Sequence, residues 1–335
     1  MINYITQPQK SQSEIQELSK RKAQQKKYAP LIAQAIKENT HIAQSTAESI
    51  YTCGTYIAMH GGKITAANFC KNRYCPICQW RASRKIYGQT RQIYDTIATE
   101  KSKFALLTLT IRNTHALKAG LQACFDGLKR FTNTDKFKRA QQGYMRTLEI
   151  TYNEKTSSWH PHIHMLLHLH DDYFNDEKRY LTQSDYIDMW RRSVKDNCIT
   201  QVDIRLVKGD IAKAIAEVAK YAIKPSSVLH SGAEQSTVTE LISSTYRRRL
   251  RSFGGSFKNA AHALGIQAEP NEDLQPPSPE DDIYIYKNGT YIHIKDNAPQ
   301  NHQIICNALE NERKKTQQTC NCCTNDEKLA GGGAL

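Results

Sequence analysis

Nothing in this sequence is suited to a lipid bilayer. It holds no run of ~18 apolar residues, the least that spans a membrane. It has no basic amphipathic anchor striped with aromatics and no lipidation motif at either end. The opening stretch MINYITQPQKSQSEIQ (1–16) lacks the apolar core of a secretory signal. These absences exclude a membrane partner and predict a cytoplasmic protein. In that reducing compartment the ten cysteines are metal ligands or bystanders rather than disulfides. Internal repeats are missing too, so no repeat architecture is expected. Acids are in short supply: 33 Asp and Glu stand against 46 Lys and Arg, a net charge of +13 with pI near 9.2. A solvated surface needs no such bias. A polyanionic partner does, because Lys and Arg displace condensed counterions from phosphates.

What is present is modestly apolar, 39% of residues with a mean hydropathy of −0.64. A chain of 335 residues still holds a core, and its length predicts roughly two domains. Residues 1–50 read as a polar helical segment. Residues 51–100 hold four cysteines and little periodicity, then an amphipathic helix over 80–100. Between 101 and 262 strands alternate with helices: strands at 103–113, 144–153, 160–170 and 200–208, helices at 116–133, 180–197 and 210–224. Asp210 is the expected N-cap of the last helix and Pro225 its stop. Residues 263–282 are an acidic, Pro-rich linker. Residues 283–335 hold a hairpin turning at Asn288-Gly289 and a disordered tail. The class is α+β.

The stretch SSWHPHIHMLLHLH (157–170) contains five histidines in fourteen residues. In a strand, alternate residues share a face. His160, His162, His164, Leu166, His168 and His170 therefore point one way, and Ile163, Met165, Leu167 and Leu169 point to a core. The plain reading is a set of polar residues on a solvated face. Two histidines at i and i+2 inside an apolar segment also suit two cis ligands of one divalent ion. His168 lies about 13 Å from His164 along the strand, too far to share that ion. His160, at the strand mouth, stays open. On the neighbouring strand Thr147, Glu149 and Thr151 fall on the histidine face, so Glu149 is a third candidate ligand.

On the helix DIAKAIAEVAKYAIK (210–224), Glu217 and Tyr221 are four apart and Lys224 follows three later, all on one flank. A packed tyrosine beside a charge pattern is the plain reading. Opposite a metal site the trio gains chemistry. A phenol attacks a phosphodiester when an ion polarises the phosphate and a cation stabilises the phenolate. Tyr221 would be the nucleophile, Lys224 the cation and Glu217 the base for a second attack.

Cys70, Cys75 and Cys78, with Cys53 upstream, have the spacing of one tetrahedral four-cysteine zinc site. His60 is a possible substitute for Cys53. Arg73, Arg81, Arg84 and Lys85 surround this knuckle and are positioned to grip DNA. The segment TYRRRLRSFGGSFKNAA (245–261) carries Arg247, Arg248, Arg249, Arg251 and Lys258 without one acid, which points to phosphate contacts or to a solvated basic face. Cys320, Cys322 and Cys323 sit in the tail and carry no expected role. Cys124 and Cys198 read as core or incidental.

Three stretches occur in a known order. FALLTLTIRN (104–113), WHPHIHMLLHL (159–169) and EVAKYAIK (217–224) resemble the three motifs of the plasmid rolling-circle replication initiators, the Rep proteins of the HUH endonuclease superfamily. His162-Ile163-His164 is similar to the HUH signature. The resemblance covers about 50–260 and includes RRRLRSFGGSFK after the third motif. It implies a central antiparallel sheet flanked by helices, with a metal on the open face, preceded by a small zinc-binding module. It implies a metal-dependent, tyrosine-type DNA nickase and strand transferase, using Mg2+ or Mn2+ at the His pair and Zn2+ at the cysteines. Tyr221 would keep the 5′-phosphate at the double-strand origin, and the free 3′-hydroxyl would prime synthesis with a host helicase and DNA polymerase. Glu217 would serve termination, a step for which Tyr152, Tyr173 and Tyr180 are other available residues. A relaxase, or an origin-binding protein without catalysis, are the alternatives. Relaxases commonly place the tyrosine near the N-terminus, whereas here it follows the histidines.

Overall fold

The computed structural model describes residues 7–220, 228, 234–268, 274, 276–278, 280–294 and 303–314. In chain order the elements are α1 (Gln7–Glu38), α2 (Gln44–Thr52), β1 (Tyr56–His60), β2 (Lys63–Ala67), α3 (Pro76–Ile97), β3 (Lys103–Thr110), α4 (Leu117–Asn133) and α5 (Asp135–Ala140). There follow β4 (Gln141–Asn153), β5 (Ser158–Leu169), α6 (Gln183–Val194), β6 (Asp203–Leu206), α7 (Ile211–Val218), α8 (Gln235–Thr245), β7 (Arg251–Gly254), α9 (Gly255–Ala263), β8 (Asp282–Lys287) and β9 (Thr290–Ile294). A last helix covers 303–314. The protein is α+β, with antiparallel sheets and flanking helices. Two compact units form, one from Met1–Gln79 with Glu272–Leu335 and one from Trp80–Asn271.

The first unit differs from the division read off the sequence. Residues 51–80 look irregular, yet they form the hairpin β1–β2, closed by His60 opposite Lys63 across Gly61-Gly62 at φ +55° and +74°. Two glycines between apolar runs are a hairpin signal. The hairpin β8–β9, expected to stand apart, pairs with β1 in a four-stranded sheet of order β2-β1-β8-β9. The physical reason is that an isolated two-stranded hairpin is marginal in water. Together Ala58, Ala66, Ile283 and Ile285 make a small core that neither hairpin has alone.

The second unit is built on a five-stranded antiparallel sheet of order β6-β3-β5-β4-β7. The odd positions of β5 from Ile163 to Leu169 are buried. Helices α4, α5 and α6 supply a cluster of aromatic rings: Phe131 packs against Phe137, Tyr186 and Trp190. Gly127 lets the two helices approach, since a Cβ there would meet Val194 Cγ1 at 2.5 Å. Trp190 Nε1 donates to Thr110 O at 2.6 Å and ties α6 to β3.

The even face of β5 is not wholly open. Leu166 is fully buried in a cluster with Phe104, Met145, Ile86 and Ile93 of α3, Ile215 and Val218 of α7, and Phe257 of α9. Emptying a position such as Leu166 by substitution to alanine costs about 2–5 kcal/mol. Helical cover therefore begins at Leu166, beside the end that carries His162 and His164. Pro161 is tolerated in this central strand because β3 pairs with β5 only as far as His162. The basic stretch 245–261 turns sharply at Gly255, φ +54°, where a Cβ would lie 2.1 Å from Gln142 O. Only glycine fits, and the chain passes there from β7 into α9.

Candidate functional site

Register assembles the first cluster. β4 and β5 place Glu149 opposite His162 and Thr147 opposite His164, while β3 places Thr108 opposite His164. All of these side chains share one face. Glu149 Oε2 lies 2.7 Å from His162 Nε2 and 2.8 Å from His164 Nε2. Glu149 is 3% exposed and His164 9%, so the carboxylate is nearly out of water and must be compensated.

The other ring nitrogens decide what can compensate it. His162 Nδ1 lies 3.2 Å from His160 O, which can only accept, a contact made when Nδ1 carries the proton. His164 Nδ1 meets Thr108 Oγ1 at 3.2 Å. In a neutral His162 this leaves the Nε2 lone pair facing a carboxylate oxygen, two acceptors against each other. A cation must sit between them, either a proton or a metal ion. Two imidazoles held from behind and one carboxylate are a fitting donor set for a divalent ion. Cis ligands at ~2.1 Å from an octahedral ion are about 3.0 Å apart, close to the separations here.

Glu217, on the last turn of α7, brings Oε1 to 3.9 Å from His164 Nδ1, and its Oε2 accepts from Lys220 Nζ. Two contacts fix the chain just beyond. Thr147 Oγ1 donates to Val218 O at 2.7 Å, and Arg251 Nη2 donates to Lys220 O at 3.1 Å. Asp210 caps α7, accepting from Ala212 N at 3.0 Å. Tyr221 and Lys224 lie outside the described residues.

His160 and His168 are not part of this donor group. His160 is half-buried and its pKa is lowered by burial and by His162, against the pull of Glu149. Its carbonyl, not its ring, serves the cluster. His168 stacks on Phe104 at 4.8 Å and 12° and pairs Nδ1 with Ser256 Oγ at 3.1 Å. Burial lowers its pKa, against the pull of Asp171.

The second cluster is in the first unit. Cys53 caps the end of α2, Cys70 follows β2, and Cys75 and Cys78 bracket the start of α3, where Pro76 takes the first helical position. Sγ separations are 3.6 Å for Cys53–Cys78, 3.6 Å for Cys70–Cys78 and 3.5 Å for Cys53–Cys75. Disulfides need ~2.05 Å. Four thiolates on one zinc ion at ~2.3 Å are about 3.8 Å apart, so the set fits that ion. Cys70 N donates to Cys53 Sγ at 3.3 Å. Burial opposes ionisation of Cys75, but hydrogen bonds from Cys53, Cys70 and Cys78 prevail and hold it well below the usual thiol range. Burial pushes Cys70 well up. His60 does not join them; its Nδ1 meets Glu280 O at 3.3 Å.

Sequence reasoning missed Lys22. Its ammonium is fully buried and donates to Cys53 O at 2.6 Å. Burial lowers its pKa to about 8, against the attraction of Cys53. A signal existed: Leu18, Lys22, Gln25, Ala29, Ile32 and Ile36 recur at helical spacing on one stripe.

The basic residues separate. Arg247 and Arg249 are exposed, as is Lys258 on α9. The Arg247 guanidinium lies 5.2 Å from the Tyr246 ring centroid, and that of Arg248 lies 5.6 Å from Phe125. Arg251 departs from the expected surface role. It faces Thr147 across β4–β7, is buried, and is engaged by Lys220 O.

Among the described residues no helix is long and apolar enough to cross a membrane. No solved structure matches the chain. Curated relatives do. A "Protein rep" of Streptococcus pneumoniae serotype 2 (strain D39 / NCTC 7466) is 34% identical over 274 residues, covering 78% of this chain and 84% of its own. A "Protein rep" of Staphylococcus aureus is 32% identical over 198 residues, 56% of this chain and 86% of that protein. A third, from Lactiplantibacillus plantarum, is 32% identical over 227 residues, 64% and 72%. The Rep_1 model, "Replication protein", matches residues 61–299 and so takes in both clusters apart from Cys53. With that span and those relatives, the chain belongs to the Rep_1 family of replication proteins, the plasmid replication initiators.

Proposed function

We propose that this protein starts rolling-circle replication of a plasmid by nicking one strand at the double-strand origin through Tyr221. The observation that carries the reading is the convergence of Glu149 Oε2 with the Nε2 atoms of His162 and His164, beside a chain anchored up to Lys220. Tyr221 is the next residue, one peptide unit (~3.8 Å) further on. A divalent ion, Mg2+ or Mn2+, held by Glu149, His162 and His164 would supply charge to polarise the scissile phosphate.

The chain's own residues do the rest. The Tyr221 hydroxyl gives up its proton, its oxygen bonds to phosphorus, and the bond to the 3′-oxygen breaks. The 3′-oxygen takes a proton and leaves as the primer hydroxyl. The 5′-phosphate stays on Tyr221, so the energy of the cut bond is kept for rejoining. Lys224 steadies the phenolate. Glu217, held by Lys220, takes the proton of the second attacker at termination. Arg247, Arg248, Arg249 and Lys258 bind phosphates, while Arg251 positions the segment that leads into Tyr221. Zinc on Cys53, Cys70, Cys75 and Cys78 stabilises the first unit. The substrate is plasmid origin DNA in the cytoplasm, and a host helicase and DNA polymerase extend the primer.

A supercoiled plasmid carrying the cognate origin tests this. The wild-type protein nicks it with Mn2+ and remains attached to a 5′ end. Tyr221→Phe removes nicking and attachment and leaves origin binding within about threefold. A Tyr221→Phe protein that nicks at the normal rate overturns the assignment.

A further inference from the structure

The unit that holds the four cysteines also buries an ammonium. Lys22 of α1 is 0% exposed. Its Nζ donates to Cys53 O at 2.6 Å and to Gln25 Oε1 at 2.9 Å, and lies 6.0 Å from the Tyr286 ring centroid. Gln25, equally buried, donates to Ile50 O. The end of a helix leaves carbonyls unsatisfied and partly negative, and α1 sends two donors to the end of α2. A neutral donor would satisfy the Cys53 carbonyl as well. A whole positive charge buried there requires a negative partner.

Among the described residues no carboxylate forms an ion pair with Lys22. Glu312 is engaged by Lys26 at 3.0 Å. The negative charge available is the cysteine cluster, whose first member is the residue Lys22 binds. Four thiolates around one zinc ion leave a net charge of −2, in a pocket where Cys53 and Cys75 are fully buried. We infer that Lys22 is the counter-ion of the tetrathiolate zinc site, offsetting part of its charge and fixing Cys53 through its carbonyl. The inference rests on reading Cys53, Cys70, Cys75 and Cys78 as a zinc site. Lys22 is a positioning residue: it touches a ligand's backbone and leaves the metal to the sulfurs.

The test uses the full chain loaded with zinc or with cobalt(II). Lys22→Met removes the charge, Lys22→Gln keeps a donor without charge, and Lys22→Arg keeps the charge. Lys26→Met, one turn along α1, is the control. Zinc affinity in chelator competition is expected to fall about 10- to 100-fold in Lys22→Met and less in Lys22→Arg, with Lys26→Met unchanged. The thiolate-to-cobalt charge-transfer band is expected to move to longer wavelength in Lys22→Met and Lys22→Gln, because loss of a nearby cation raises the sulfur levels. A purely structural role would not move that band. If Lys22→Met fails to fold, the band of Lys22→Gln decides. Wild-type affinity and an unshifted band in the Lys22 variants, with metal still lost in Cys75→Ser, overturn the counter-ion alone. Metal binding that survives Cys75→Ser overturns the zinc reading, and the counter-ion with it.

Discussion

Glu149→Gln probes the proposed metal site with the least change of shape. The side chain is 3% exposed, and one oxygen serves both imidazoles at 2.7 and 2.8 Å. Glutamine keeps the volume and removes a full negative charge. Two unit charges ~4 Å apart attract by about 4 kcal/mol at an effective dielectric of ~20. A divalent ion feels more, and water entering the site returns part of it. A net loss of about 3 kcal/mol corresponds to roughly 100-fold weaker binding. The fold should tolerate the change, because the glutamine amide can donate to an imidazole Nε2. Free Mn2+ followed by electron paramagnetic resonance during titration reads the affinity directly, and circular dichroism checks the fold. Binding of Mn2+ by the Glu149→Gln protein within about threefold of wild type, with the fold intact, would refute the ligand assignment.

Other substitutions separate roles that the sequence merges. Thr108→Val leaves every ligand in place but removes the partner of His164 Nδ1; Mn2+ affinity should drop about tenfold, and an unchanged titration would discard the orienting role. Arg251→Met should cost about 2 kcal/mol in denaturant melts and slow nicking with little loss of origin affinity. Arg247→Ala should do the reverse, lowering the salt slope of binding by about 1 at constant stability; equal behaviour of the two variants contradicts the division. Asp185, at the start of α6, is held down to about 2 by hydrogen bonds from Lys136 and Thr182. A depressed carboxylate stabilises the fold above its unfolded pKa of ~3.9 and loses that contribution as pH falls through about 2. Solvent screening limits it to about 1 kcal/mol, so Asp185→Asn should melt a few degrees lower at pH 7 and match wild type near pH 2.

Alternation along two strands made the convergence of Glu149, His162 and His164 legible. It put Glu149 and Thr147 on the face of His162 and His164 before any pairing was known, and the short connection 154–157 fixes the register that joins them. Cysteine spacing made the clustering of the four thiols legible, because α3 begins between Cys75 and Cys78 and keeps that pair together. Long-range pairing was not legible. β8 joins β1 across more than two hundred residues, and local pattern holds no record of the partner. Arg251 looked like its basic neighbours because only the β4–β7 register turns it inward. Lys22 looked like Lys20, Lys26 and Lys27 in a polar helix, and its place on the apolar stripe counts only once α2 packs there.

The most direct measurement is mass spectrometry of the peptide that stays on a nicked origin oligonucleotide after proteolysis. One adduct is expected, a 5′-phosphate on the peptide containing Tyr221, absent from Tyr221→Phe. An adduct on Tyr152, Tyr173 or Tyr180, or nicking that leaves no covalent peptide, would contradict the tyrosine assignment.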